Sequence, residues 1–190
     1  MKNIILGLAI TVLTLVACNT KNNKSAESQN SNNATLTASS VPDAKNTVSI
    51  KAIISAYLQL KNAFTTDNTT EAANAGKALQ TIFKNYDQST LTASQKKTFE
   101  DVVDDASEHA EHIGKNGGNI KHQREHFELL SKDIYDLIKA FGAGQVLYKD
   151  FDQMYNKGKG AFWFSETKEI KNPYMGKAML NNGSIQETIK

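Results

Sequence analysis

The sequence predicts an all-α fold: an antiparallel four-helix bundle with a short irregular/β C-terminal cap. Apolar residues recur at helical spacing in four consecutive segments between residues 48 and 141. Short polar or glycine-containing connections separate these segments, as in up-down bundles. From Gly142 onward, glycines and Pro173 interrupt every apolar run, and aromatic residues are concentrated there. We therefore expect a bundle over residues 47–142 and a cap over residues 143–190.

The four helices are expected over about residues 48–66, 70–86, 92–113 and 120–141. The polar residues at 65–70 supply N-cap oxygens for the second helix, whose first half is rich in small residues. Thr92 and Gln95 form a capping-box pair at the start of the third helix. In the cap, residues 145–151 and 161–164 are expected to be extended, around a turn at residues 156–158, with little other regular structure.

The N-terminus has the pattern of an export signal. Lys2 precedes an apolar run at residues 4–13 that is too short to span a bilayer, and residues 15–18 (Leu-Val-Ala-Cys) resemble the lipobox of bacterial lipoproteins. We expect a signal peptide over residues 1–17, lipidation of Cys18 and a location in the cell envelope, on the periplasmic face of the outer membrane. An ordinary secretory signal or a short membrane anchor is the alternative.

Residues 18–46 are dominated by Asn, Ser, Thr, Ala and Lys, so we expect a disordered tether that links the lipid to the domain. The formal net charge of the whole chain is only +2, which gives no reason to expect a nucleic-acid partner. Cys18 is the only cysteine, so the domain has no thiol for a disulfide or a thiolate ligand.

All four histidines lie within residues 108–127. His109 and His112 precede the glycine-containing connection, and His122 and His126 follow it. A hairpin would bring His109 level with His126 and His112 level with His122, at the flank of the apolar faces. Neutral imidazole is a common metal ligand, so the arrangement suggests a metal site; solvated histidines on a polar face are the alternative.

Other residues offer weaker signals for ligands and for chemistry. Met154, Met175 and Met179 carry thioethers that suit Cu(I), although methionine is also an ordinary packing residue. Asp150 and Asp152 could add oxygen ligands. Gln123 falls on the apolar face and would need a buried hydrogen-bond partner. The chain has no P-loop, HExxH, dinucleotide-binding or Gly-x-Ser-x-Gly motif, so we expect a binding module and not an enzyme.

Several short motifs resemble those of a bacterial domain-of-unknown-function family, DUF3347. The resemblance runs from Ile53 to the end, so residues 47–190 are expected to form a DUF3347-like domain. The motifs are Ala56-Tyr57-Leu58 with Leu60-Lys61; His122-Gln123-Arg124 with Phe127 and Leu130-Ser131; and Phe162-Trp163-Phe164-Ser165, Glu169-Ile170, Asn172-Pro173-Tyr174, Gly176, Met179-Leu180 and Gly183.

The resemblance implies copper handling, because that domain occurs as free lipoproteins and fused to the periplasmic adaptors of copper/silver efflux pumps. Family members typically carry Cys-Pro-Met where this chain has Asp152-Gln153-Met154, and a cysteine where it has Asn182. The soft-ligand site is therefore degenerate here.

The sequence thus predicts a lipid-anchored periplasmic module that binds copper or zinc and acts with a heavy-metal efflux component. Its proposed ligands are His109, His112, His122, His126 and Met154, with Asp152 and Met179 as candidate additional ligands. The alternative is a metal-free interaction lipoprotein that docks a pump or another envelope partner. One geometric test separates these expectations: a shared ion requires ring nitrogens of His109 and His126 within about 4 Å, because metal–nitrogen bonds are about 2.0 Å long.

Overall fold

The computed structural model describes residues 49–190. The predicted signal peptide at residues 1–17, the tether at residues 18–46 and the lipidation site Cys18 all lie outside the described residues. Within residues 49–190, no helix is long and apolar enough to cross a membrane.

Four long helices occupy the first two-thirds of this region, and each packs against the next along the chain. The prediction of a four-helix bundle is therefore confirmed, with each boundary within a few residues of the predicted one. The helices are α1 (Lys51–Thr65), α2 (Thr69–Lys84), α3 (Ala93–Lys115) and α4 (Ile120–Phe141).

Side-chain caps fix where three of the helices begin. The Asn68 side chain accepts a hydrogen bond from the backbone of α2, and the Asn119 side chain does the same at the start of α4. The predicted capping box of Thr92 and Gln95 is present at α3. Gly142, with φ of +76°, ends α4 in a conformation that glycine adopts without strain.

The core of the bundle is aromatic between α1 and α4 and built of small residues between α2 and α3. The Tyr57 ring stacks on Phe127 with centroids 5.2 Å apart, and Phe64 meets Phe127 edge-on at 5.1 Å. On α2, a Cβ at Gly76 would lie only 2.8 Å from the backbone oxygen of Ala110 on α3. The small-residue half of α2 therefore lets these two helices approach closely, as expected from the sequence.

The cap contains a three-stranded antiparallel sheet in the order β2-β1-β3. Its strands are β1 (Leu147–Asp152), β2 (Ala161–Ser165) and β3 (Ser184–Ile189). The two predicted extended segments and the turn between them are confirmed; Asn156 and Lys157 in the turn have φ of 51° and 59°. The expectation of little other regular structure was wrong, because β3 completes the sheet. All but the last of its residues are exposed, so no alternation of burial marked it in the sequence.

Strand β2 packs against α1 and α4 through the hydroxyl of Tyr57. This hydroxyl accepts a hydrogen bond from the backbone N–H of Phe164 at 3.2 Å and donates one to Ser131 Oγ at 2.8 Å. Ser131 Oγ in turn donates to the carbonyl of Phe127. The sheet is thereby attached to the centre of the bundle by a chain of buried hydrogen bonds.

A second attachment is made by Arg124 of α4, whose side chain is only 12% exposed. Its guanidinium donates to the carbonyl of Pro173 at 2.6 Å, to the carbonyl of Phe64 at 2.9 Å and to Asp67 Oδ1 at 2.6 Å. A Cβ at Gly176 would collide with both the Asp67 carboxylate and the guanidinium. One side chain therefore joins α4, the α1–α2 turn and the segment that follows β2.

Candidate metal centre

The hairpin between α3 and α4 brings all four histidines together. His109 and His112 lie in the last two turns of α3, and His122 and His126 lie in the first two turns of α4. The connection is short because Asn116 ends α3, Gly118 adopts φ of +96° and Asn119 begins α4. Two antiparallel helix ends with histidines at spacings of three and four therefore face each other.

His126 is at the centre of the cluster. Its Nδ1 lies 3.2 Å from Nδ1 of His109, which satisfies the geometric test set by the sequence. Its ring is stacked on that of His112, with centroids 4.2 Å apart, and meets the ring of His122 edge-on at 4.6 Å. As predicted, His109 lies level with His126 and His112 lies level with His122. The ring centroids of these two pairs are 5.3 Å and 5.7 Å apart.

The spacing of the ring nitrogens suits a small cation. Two nitrogens bound to one tetrahedral ion at about 2.0 Å each are about 3.3 Å apart, close to the separation of the Nδ1 atoms of His109 and His126. One ligand atom from each of His112, His122 and His126 lies within 4.8 Å of the other two. Because the rings of His112 and His126 are stacked, one of them must rotate before both direct a lone pair at one ion.

Burial favours the uncharged forms of His109 and His126. Desolvation lowers the pKa of His126 to about 4, and repulsion from its three histidine neighbours acts in the same direction. Desolvation also lowers the pKa of His109, against the opposing effect of Asp105 and Glu108. A neutral imidazole has a lone pair to donate, so these two rings are ready to bind metal without first losing a proton.

Each of the other three histidines has a carboxylate close to one ring nitrogen. His112 Nε2 lies 3.7 Å from Glu108, His122 Nδ1 lies 3.7 Å from Glu125, and His109 Nε2 lies 4.0 Å from Asp133. Such carboxylates orient metal-bound imidazoles and increase their basicity. The ring nitrogen not beside a carboxylate is Nδ1 in His109, Nδ1 in His112 and Nε2 in His122.

Asp133 was not identified from the sequence. It is half-buried, and desolvation together with the nearby Asp105 and Asp136 raises its pKa to about 7. Its position contained a usable signal: Asp133 follows His126 by seven residues, which places it two turns along the same face of α4.

Asp152, a candidate additional ligand, does not join the histidines. It is fully buried, and its carboxylate accepts hydrogen bonds from the backbone of Met154 and the side chains of Asn172 and Asn182, all between 2.7 and 2.8 Å. In residues 49–190, His112, His122 and His126 form the only group of three or more His, Cys, Asp or Glu residues whose ligand atoms lie within 4.8 Å of one another. Asp152 and Asn182 are thus joined to each other by a hydrogen bond in the cap.

Met154, Met175 and Met179 lie in the cap. Met154 directly precedes the turn between β1 and β2, and Met179 follows a 3-10 turn at Gly176–Ala178; their residues are 49% and 42% exposed. Met175 is half-buried, and its backbone donates a hydrogen bond to the Asn172 side chain. The contacts among the histidines described above do not include a methionine sulfur. The assignment of Met154 and Met179 as metal ligands therefore stays a prediction.

Gln123 has the role expected for a polar residue on an apolar face. It is fully buried, and its Nε2 donates to the carbonyls of Thr69 and Ile113, both at 3.1 Å. It therefore ties α4 to the start of α2 and the end of α3, beside the histidine-bearing hairpin.

These features define a four-helix bundle with a C-terminal sheet and a histidine cluster on its α3–α4 hairpin. A family model described as a protein of unknown function (DUF3347) matches residues 53–146, and the chain belongs to this family. The match covers the four helices except the first two residues of α1, and it ends just before β1, so the resemblance in the cap lies beyond it. No curated protein and no solved structure matches the chain.

Proposed function

We propose that this chain is a lipid-anchored periplasmic protein whose domain binds a copper or zinc ion at the histidine cluster and serves heavy-metal efflux. The observation that carries the proposal is the convergence of all four histidines on one hairpin, with His109 and His126 nitrogens 3.2 Å apart. The module acts by binding and not by catalysis.

The donor set favours a divalent ion. Imidazole nitrogen binds both Cu(II) and Zn(II), whereas Cu(I) is best held by thiolate and thioether sulfur. The only cysteine of the chain, Cys18, lies outside the domain. Asp152 and Asn182 form a hydrogen-bonded pair in the cap in place of soft ligands. The histidines are therefore the stronger candidates, and Met154 and Met179 are at most secondary ligands.

A calorimetric titration tests the proposal. The purified full chain, kept in mild detergent, is titrated with Zn(II), Cu(II) and Cu(I), beside a variant in which all four histidines are changed to alanine. We expect the wild type to bind Cu(II) or Zn(II) more tightly than about 10 μM, equivalent to about 7 kcal/mol, and the variant to lose that binding. A matched control, the Met154→Leu/Met179→Leu double variant, should retain it.

The outcomes separate the proposal from its alternative. Binding that survives in the histidine variant and is lost in the methionine variant would place the ion in the cap. Failure of the wild type to bind any of the three ions would refute metal binding. It would favour a metal-free lipoprotein that docks an efflux component or another envelope partner. The complete set of hydrogen bonds around Asp152, which needs no ion, is the observation on the side of this alternative.

A further inference from the structure

Asp133 is a carboxylate placed directly behind one of the four imidazoles. Its Oδ2 atom is enclosed and has no hydrogen-bond partner among the described residues. This atom lies 4.0 Å from Nε2 of His109, and both side chains are only 17% exposed. An enclosed oxygen without a partner is costly, so its position requires an explanation.

The orientation of His109 supplies that explanation. Its Nε2 faces Asp133, while its Nδ1 faces Nδ1 of His126. A neutral imidazole has a proton on one nitrogen and a lone pair on the other. When Asp133 is ionised, the proton of His109 belongs on Nε2, and the lone pair on Nδ1 points into the cluster. A movement of about 1 Å would complete the hydrogen bond between His109 and Asp133.

We propose that Asp133 is a positioning residue of this site: it holds His109 with its proton on Nε2, so that Nδ1 binds a divalent cation together with His126. The inference rests on the proposed metal binding and adds a residue to it. A carboxylate behind a metal-bound imidazole fixes the ring and increases its basicity, and its loss typically weakens binding 10- to 100-fold.

Asp133 differs from the other two carboxylates that lie within 4.0 Å of a histidine ring nitrogen. Glu108 and Glu125 are 66% and 53% exposed, so water screens their charges and their side chains are free to move away. Asp133 is held at the edge of a groove between α3 and α4 that is also lined by Asp105 and Asp136. Of these three carboxylates, Asp133 is the one that is held in place and can position a histidine ring.

The test is a double-mutant cycle on metal affinity. Zn(II) and Cu(II) are titrated into the full chain as wild type, Asp133→Asn, His109→Ala and the double variant. Asp133→Asn is expected to weaken binding 10- to 100-fold in the wild-type background and less than about 2-fold in the His109→Ala background. The absorption spectrum of bound Co(II) should change in Asp133→Asn, because one ligand becomes less basic.

The control is Asp136→Asn, which removes a negative charge from the same groove three residues farther along α4. It should leave the affinity and the Co(II) spectrum nearly unchanged. Urea unfolding without metal should show Asp133→Asn to be no less stable than the wild type, because the substitution removes a partly desolvated charge that has no partner.

Three other outcomes would contradict the role of Asp133, and they can be told apart. Equal weakening by Asp133→Asn with and without His109 would show a general electrostatic or structural effect. Unchanged binding in Asp133→Asn, with binding intact in the wild type, would refute the role of Asp133 and leave the proposed function standing. Absence of binding in the wild type would refute both.

Discussion

Replacing Arg124 with methionine should loosen the cap from the bundle. The guanidinium makes three hydrogen bonds, two of them at 2.6 Å, and is only 12% exposed. Hydrogen bonds from a charged donor contribute about 1.5–3 kcal/mol each, and water can replace part of this at Asp67, which is 34% exposed. We therefore expect Arg124→Met to lower the free energy of unfolding by about 3–5 kcal/mol.

Urea unfolding followed by two probes measures this change. Far-ultraviolet circular dichroism reports the helices, and fluorescence reports Trp163, the only tryptophan, which is fully buried in the cap. The Trp163 transition should move to lower urea by at least as much as the helical transition. The control is Lys97→Met, which removes a highly exposed ion pair with Asp101 on α3 and should leave both midpoints unchanged.

The pH dependence provides a second readout for the same substitution. Although burial opposes its charge, hydrogen bonds from Arg124 and from the Lys177 backbone hold the pKa of Asp67 below its usual value. A lowered folded-state pKa means that this stabilisation is present above about pH 4 and is lost as the pH falls through the folded-state value. That loss of stability at acid pH should be smaller in Arg124→Met.

A change in unfolding free energy below about 1 kcal/mol for Arg124→Met would refute the view that Arg124 joins the bundle and the cap.

Two further predictions concern Asp150 and Cys18. Burial raises the pKa of Asp150 to about 7, only partly offset by Lys61. Because this folded-state pKa is above the unfolded value, wild-type stability relative to Asp150→Asn should be greatest below about pH 4 and decline as the pH rises to about 7, by at most about 4 kcal/mol. Paired urea titrations across this range measure the difference, and a flat difference would contradict the assignment. Mass spectrometry of the membrane-extracted protein should find acyl groups on Cys18 at a new N-terminus; Cys18→Ser should lose them. An unacylated wild-type Cys18 would rule out the lipid anchor.

The three consecutive residues His122, Gln123 and Arg124 show what sequence reasoning can and cannot reach. Helical periodicity correctly placed His122 on the flank and Gln123 in the core, because both statements depend only on local geometry. The role of Arg124 depends on the α1–α2 turn and on a segment about 50 residues away. No local sequence pattern predicts contacts between residues so far apart in the chain.

The same distinction applies to the site and the cap. The pairing of histidines across one short hairpin is a local property, so the sequence predicted it. Asp133 was missed because a single aspartate on a polar helix face is ordinary unless its neighbour on the next helix is known. Strand β3 was missed because it pairs with β1 across more than 30 residues and has almost no buried face. The contact between Asp152 and Asn182 likewise spans 30 residues.

Hydrogen bonds among Asp152, Asn172 and Asn182 hold the cap together without a disulfide. They close the cap with amide and carboxylate groups alone, and residues 49–190 contain no cysteine. Thiol–disulfide exchange therefore has no bond here to make or break. The domain can reach its final structure without forming a disulfide, and its free energy of unfolding should be the same with and without a thiol reductant.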